Sequence, residues 1–92
     1  MLRLMIVDDE QIIREALSSM IDYTSLGYEV IATAKNGMEA YDRIRDDYPD
    51  VVITDIKMPI LNGLELIERA SRIDSRITFI LLSGYGEFEY AK

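Results

Sequence analysis

Four short runs of β-branched and aliphatic residues, separated by longer stretches with helical spacing, constrain this chain's fold more than any other feature. The runs are LRLMIV (2–7), YEVIATA (28–34), DVVITD (50–55) and RITFILLS (76–83). The pattern predicts β-α-β-α-β-α-β. Strands separated by helices must be parallel and joined by right-handed crossovers. The last two runs are apolar in their middles, as expected when helices cover both faces of a sheet. The predicted fold is therefore a doubly wound α/β sheet.

Local signals place the ends of the predicted helices. The pairs Asn36-Gly37 and Asn62-Gly63 are typical of turns that open into a helix, and Pro49 is expected to end the second helix. The apolar stripes of the three helices are Ile12, Ile13, Ala16, Leu17, Met20 and Ile21, then Met38, Tyr41, Ile44 and Tyr48, then Leu64, Ile67 and Ala70 with Leu66 and Ile73 flanking them.

The spacing of the runs also suggests that the pattern continues beyond the chain. Extrapolation puts a fifth strand near position ~102, whereas the chain has 92 residues. The closing stretch GYGEFEYAK (84–92) is expected to be a loop that enters a fourth helix. We therefore expect residues 1–92 to be the front of a longer domain that lacks its fifth strand and fifth helix.

Composition excludes several classes of site and partner. The chain has no cysteine and no histidine, which excludes thiolate chemistry and the commonest general base and transition-metal ligand. Its net charge of −7 should repel nucleic-acid phosphates, so we expect no direct DNA contact by this segment. The apolar run at the N-terminus, in MLRLMIVDDE, is too short and ends in too many acids for a signal peptide. No apolar run approaches the roughly 20 residues of a membrane span. These features predict a cytoplasmic protein with no membrane contact.

Acidic residues follow two of the predicted strands. The first strand ends in Asp8, Asp9 and Glu10, and the third ends in Asp55. Functional groups of parallel α/β sheets collect at the carboxyl ends of strands, so Asp8, Asp9 and Asp55 should converge if these strands are neighbours. Such a carboxylate group suits Mg²⁺ better than zinc or copper. With a cation bound, one carboxylate can act as a nucleophile toward a phosphoryl group.

Simpler interpretations remain open for each feature alone. Asp8, Asp9 and Glu10 could only cap a helix, Asp55 could be an ordinary turn residue, and Ser83-Gly84 could be a generic loop. A Mg²⁺-dependent phosphohydrolase is a further alternative, although its best-known design needs an aspartate where Lys57 stands. A nucleotide site would rest on Gly84 and Gly86 alone and is weakly indicated.

Three segments together resemble a known family. MIVDDE, VVITDIKMPILNGLELI and ILLSGYGEFEYA are similar to the signature segments of the response-regulator receiver domain of two-component signalling, in the family's order and spacing. The stretch LLSGYGEFEYAK further resembles receivers joined to AraC-type DNA-binding domains. The resemblance implies a flavodoxin-like receiver fold with strand order 2-1-3-4-5.

The resemblance also implies a role for each site residue. Asp55 would accept a phosphoryl group from a phosphohistidine of a partner sensor histidine kinase. Asp9 would bind Mg²⁺ directly, Asp8 would assist through water, and Lys57 would offer its backbone carbonyl to the metal. The Ser83 hydroxyl would donate a hydrogen bond to a phosphoryl oxygen. The domain would be a phosphorylation switch with a transcriptional output through a separate DNA-binding domain, not an enzyme, and would at most assist its own phosphotransfer and dephosphorylation.

The chain departs from the family pattern after the fourth strand. The lysine and the aromatic switch residue of the fifth strand have no position here, and Lys92 is not that lysine. A receiver-like docking module that no longer accepts phosphate is therefore an alternative. Without a fifth strand the apolar fourth strand becomes a sheet edge, which predicts dimerisation or exchange of elements between chains.

Overall fold

The computed structural model describes residues 1–82 of the 92-residue chain. Four strands alternate with three helices, as predicted. The elements are β1 (Leu2–Val7), α1 (Gln11–Ser19), a short 3₁₀ turn (Thr24–Leu26), β2 (Tyr28–Ala34), α2 (Gly37–Asp47), β3 (Val51–Asp55), α3 (Gly63–Ile73) and β4 (Thr78–Leu82). Ser83, the Gly84 and Gly86 pair and the expected start of a fourth helix lie outside the described residues.

The strands form one parallel sheet in the order β2-β1-β3-β4. The chain therefore winds first to one side of β1 and then to the other. The doubly wound arrangement and the order expected for its first four strands are both confirmed. The order reverses beside β1, and a crevice at the carboxyl ends of the strands is expected at such a point.

Side chains of β1 alternate between two hydrophobic cores, one on each face of the sheet. Met5 and Val7 pack with residues of α2 and α3, whereas Leu4 and Ile6 pack with Tyr23 and with residues of β3. Leu17 of α1 packs against the second core, so helices lie on both faces of the sheet, as expected for strands that are continuously apolar.

Asparagine caps begin two of the helices. Asn36 precedes α2 and accepts a hydrogen bond from the Glu39 amide, whereas Asn62 precedes α3 and forms a reciprocal capping box with Glu65. The helix starts predicted from the two Asn-Gly pairs are confirmed. Pro49 follows the end of α2, also as predicted.

The predicted fourth strand began two residues too early. Arg76 donates its amide hydrogen to the Asp74 carboxylate, and the amide of Ile77 bonds the Asp74 carbonyl, so residues 74–77 form a turn before β4. Three residues assigned to helical stripes, Met20, Ile21 and Tyr48, lie just beyond the helix ends.

The faces of α1 and β4 keep exposed apolar side chains. Ile12 on α1 is 78% exposed, and Ile80 on β4 is 46% exposed. Among residues 1–82, β4 pairs only with β3, so its other edge carries no strand there. In the same part of the chain, none of the helices has the length and apolarity needed to cross a bilayer.

Candidate metal and phosphoacceptor site

The register of the two central strands brings the acidic residues together. Val7 of β1 lies opposite Thr54 of β3. Asp8 and Asp55 each follow these partners directly, so both stand at the same edge of the sheet. One carboxylate oxygen each from Asp8, Asp9 and Asp55 lies within 4.8 Å of the other two. The predicted convergence of the three acids is confirmed.

The three carboxylates differ in their access to solvent. Asp8 is 5% exposed, Asp55 is half-buried and Asp9 is exposed. The cluster thus forms a crevice with a buried floor and an open rim. A cation arriving from solvent could contact all three side chains, and carboxylate oxygens are the ligands that Mg²⁺ prefers.

Hydrogen bonds fix the loop between β1 and α1. The Asp8 amide donates to the Ala34 carbonyl of β2 (3.1 Å), and one Asp8 carboxylate oxygen accepts from the Glu10 amide (2.9 Å). Glu10 stands at the start of α1 without making a side-chain capping bond, and no acid lies in the first turn.

The environment of Asp8 disfavours its ionised form. Burial raises the pKa of Asp8, and the Asp9 carboxylate raises it further, whereas the Glu10 amide and the Arg14 guanidinium lower it; the net direction is upward. A bound cation would oppose the two effects that raise the pKa, because it favours ionised carboxylates.

Backbone bonds also constrain the loop after Asp55. One Asp55 carboxylate oxygen accepts from the Ile56 amide (2.8 Å), and the Gly63 amide donates to the Ile56 carbonyl (2.7 Å). A Cβ atom on Gly63 would collide with the backbone carbonyl oxygen of Asp55. The start of α3 therefore lies directly against the backbone of Asp55, and only glycine leaves room for it.

Ile60 has a left-handed backbone in the middle of this loop. Its φ is 74°, and the Leu61 amide bonds the Pro59 carbonyl across it (2.8 Å), which forms a tight γ-turn. This conformation is unfavourable for a β-branched residue. The loop thus keeps a strained turn a few residues after Asp55.

A shallow cavity of about 390 Å³ opens beside the acidic cluster. Its lining includes Asp9, Lys57 and Pro59. Lys57 is exposed and stands two residues after Asp55. The cavity leaves the exposed acid accessible and gives space for a phosphate-sized group next to the cluster.

Comparison with known proteins identifies the family. The family model described as the response regulator receiver domain matches residues 4–92. This chain is a member of the response regulator receiver family. Residues 1–92 of the receiver are 48% identical to a stretch of the transcriptional regulatory protein YesN of Bacillus subtilis and cover 25% of that protein.

Solved structures agree in fold. The receiver matches the two-component transcriptional regulator AraC from Clostridium phytofermentans with a TM-score of 0.91 and 34% identity, over 100% of this chain and 71% of that one. It matches a CheX–CheY–BeF3–Mg²⁺ complex from Borrelia burgdorferi with a TM-score of 0.83 and 28% identity, over 97% of this chain and 66% of that one. The predicted receiver family and its similarity to AraC-type regulators are confirmed. The receiver spans 25–36% of the length of the first curated relatives it matches.

The structure brings together most of the receiver's predicted site residues. Asp8, Asp9 and Asp55 form the cluster, and Lys57 lies on its rim. Ser83 falls outside the described residues, so its predicted role stays a prediction.

Sequence reasoning missed one residue of the receiver that contacts the site. The Arg14 guanidinium donates a hydrogen bond to the Asp8 backbone carbonyl (2.8 Å). Arg14 stands one helical turn after Glu10, where its side chain can reach back to the end of β1. Arg14 is the one basic residue of α1, so it could have been considered as a partner of the strand-end acids.

Proposed function

We propose that this chain is the phosphoacceptor receiver of a two-component system. In this proposal Asp55 accepts a phosphoryl group from a partner histidine kinase in the presence of Mg²⁺ and thereby switches a transcriptional output. One observation carries the proposal: three carboxylates from the ends of two adjacent strands lie within 4.8 Å of one another around an open crevice. Receivers are signalling domains, and we propose no turnover of small substrates here.

The donor set fits Mg²⁺. The chain has no histidine and no cysteine, so the oxygen atoms of Asp8, Asp9 and Asp55 and of neighbouring carbonyls are the ligands it offers. We assign direct binding to Asp9 and Asp55, assistance to Asp8, and a backbone carbonyl ligand to Lys57. When bound, Mg²⁺ would neutralise negative charge that develops on the transferred phosphoryl group. The similar CheY complex contains Mg²⁺, which is consistent with this assignment.

Asp55 is suited to act as the nucleophile because its surroundings hold it in place. Its own loop binds one carboxylate oxygen through the Ile56 amide, and Gly63 packs against its backbone. In the transfer, an Asp55 oxygen forms a bond to phosphorus while the bond from phosphorus to the histidine nitrogen breaks. The electron pair leaves with the imidazole, which takes up a proton. Positioning and charge stabilisation supply most of what such a transfer needs.

Ser83 would donate its hydroxyl hydrogen to a phosphoryl oxygen and so report phosphorylation. This role rests on the family resemblance alone. The resulting shift would bias a two-state equilibrium of the surrounding loops.

The partners follow from exposure and charge. Ile12 is a largely exposed apolar residue in the first turn of α1, close in sequence to the Asp8-Asp9 loop, and offers an anchor for a docking kinase. Because the chain carries a net charge of −7, DNA contact would belong to a separate output domain. This role would place the protein in the cytoplasm.

Mass spectrometry after incubation with Mg²⁺ and a small phosphodonor tests the proposal. The chain should gain roughly 80 Da, the mass of one added HPO₃ unit, and Asp55→Asn should not. Asp46→Asn is the matched control, because it removes the same charge from an exposed position on α2. Equal labelling of the chain and of Asp55→Asn, or no labelling of either, would refute the proposal.

A further inference from the structure

Arg14 connects helix α1 to the end of strand β1. Its Nη1 atom donates to the backbone carbonyl oxygen of Asp8 (2.8 Å), across six residues and in a partly buried setting. The bond reaches the residue that supplies the buried carboxylate of the acidic cluster. It therefore joins the orientation of α1 to the geometry of the site.

Asp8 is held by three hydrogen bonds from three different parts of the chain. Its amide binds β2 through the Ala34 carbonyl, its carbonyl binds Arg14, and one carboxylate oxygen binds the Glu10 amide. The bond to the Ala34 carbonyl holds the end of β1 against β2, and the bond from the Glu10 amide holds the turn that follows. Among residues 1–82, the bond from Arg14 is the one that reaches the peptide plane between Asp8 and Asp9, because that plane contains the Asp8 carbonyl.

The direction of the Asp9 side chain depends on this same peptide plane. If the plane rotates, the Asp9 carboxylate moves away from Asp8 and Asp55, since Asp9 is exposed and no core packing restrains it. A residue that fixes the plane thus keeps the exposed acid within 4.8 Å of the other two.

We propose that Arg14 is a positioning residue for the acidic cluster, and that its hydrogen bond to the Asp8 carbonyl keeps Asp8 and Asp9 directed toward Asp55. This inference rests on the proposed function, because it treats the cluster as a Mg²⁺ site.

Charge and position predict opposite effects when Arg14 is replaced. The Arg14 guanidinium is a cation near the cluster, so by charge alone its removal should tighten Mg²⁺ binding. Loss of the hydrogen bond should weaken binding, because partners behind the metal ligands commonly contribute about ten-fold or more to metal affinity. The sign of the change therefore separates the two roles.

The experiment measures Mg²⁺ affinity by calorimetry for the chain and for Arg14→Gln, Arg14→Lys and Arg72→Gln. Arg14→Gln should bind about ten-fold more weakly, although it removes a positive charge. Arg14→Lys keeps the charge but places a shorter ammonium group where the Nη1 atom donates, so it should bind more weakly than the unmodified chain and more tightly than Arg14→Gln. Arg72→Gln removes the same charge from the exposed last turn of α3 and should leave affinity unchanged.

A second measurement separates positioning from a general role in stability. Amide hydrogen exchange of Glu10 in the metal-free chain should speed up in Arg14→Gln, because the turn at Asp8 loosens, while Glu39 at the start of α2 keeps its rate. If Arg14→Gln does not fold, the affinity of Arg14→Lys decides. Equal or tighter Mg²⁺ binding in the Arg14 variants, even with lower thermal stability, would overturn the positioning role. Absence of saturable Mg²⁺ binding in the unmodified chain would instead refute the proposed function, and the positioning role with it.

Discussion

The acidic cluster should destabilise the fold when no cation is bound, and Asp8→Asn measures by how much. Oxygen atoms of the three carboxylates lie within 4.8 Å of one another. At that distance two unit charges repel by about 1 kcal/mol in bulk water and by about 3.5 kcal/mol at an effective dielectric constant of about 20. Asparagine keeps an oxygen for the Glu10 amide but carries no charge. We expect the free energy of unfolding of the metal-free chain to rise by about 1–3 kcal/mol.

Thermal and urea unfolding with EDTA and with saturating Mg²⁺ test this expectation. For a domain of this size, each 1 kcal/mol raises Tm by about 4–8 °C. Mg²⁺ should stabilise the unmodified chain, because the cation binds only the folded state, and should stabilise Asp8→Asn less, because one of the three carboxylates is lost. Asp46→Asn, which removes an exposed charge from α2, should change neither the stability in EDTA nor the stabilisation by Mg²⁺. If Asp8→Asn is no more stable than the unmodified chain in EDTA, or if Mg²⁺ stabilises both equally, the reasoning is wrong.

The gain in the free energy of unfolding from Asp8→Asn should depend on pH in a defined direction. Burial raises the pKa of Asp8 above the ordinary value of 3.8. The folded state therefore binds this proton more tightly than the unfolded state, and ionisation of Asp8 costs stability as pH rises from about 3.8 through the raised pKa. The advantage of Asp8→Asn should be absent below that window and complete above it.

Three further predictions concern the loop after Asp55 and the open sheet edge. Gly63→Ala should cost about 1–3 kcal/mol in urea unfolding, because its Cβ would collide with the Asp55 carbonyl; a change within 0.5 kcal/mol, the ordinary range for surface sites, would contradict the geometry. Ile60→Gly should raise stability by about 0.5–1 kcal/mol, because glycine relieves the strain at positive φ by more than its extra freedom costs; a loss of stability would argue against strain at this residue. Light scattering should detect dimers or larger species at high concentration, and Ile80→Lys with Leu81→Lys on the exposed β4 edge should reduce them; a clean monomer of the unmodified chain would disprove association through β4.

The sequence was sufficient to predict the sheet and the meeting of its acids. The alternation of apolar runs and helical stretches leaves few topologies, and parallel strands must present their carboxyl ends at one edge. Asp8 and Asp55 therefore meet as soon as β1 and β3 are neighbours. The two helix starts were equally predictable, because an asparagine before a glycine indicates a cap locally.

The details that distinguish the acids could not be predicted. Asp8 and Asp9 are adjacent and chemically identical, yet Asp8 is buried and accepts a hydrogen bond from the Glu10 amide, whereas Asp9 is exposed; this difference depends on the backbone of the turn. The strained φ of Ile60 contradicts the preference of a β-branched residue, so local propensity gives no indication of it. The Arg14 contact depends on how α1 sits against β1, which is a tertiary property.

The central claim is that acids far apart in the chain form a single cation site, and a Mg²⁺ titration followed by amide NMR tests it most directly. The amides of Glu10 and Ile56, each bonded to a carboxylate of the cluster, should shift together and saturate at one dissociation constant. Asp9→Asn and Asp55→Asn should each weaken both shifts. Shifts that saturate at different Mg²⁺ concentrations, or that appear away from both loops, would contradict the account.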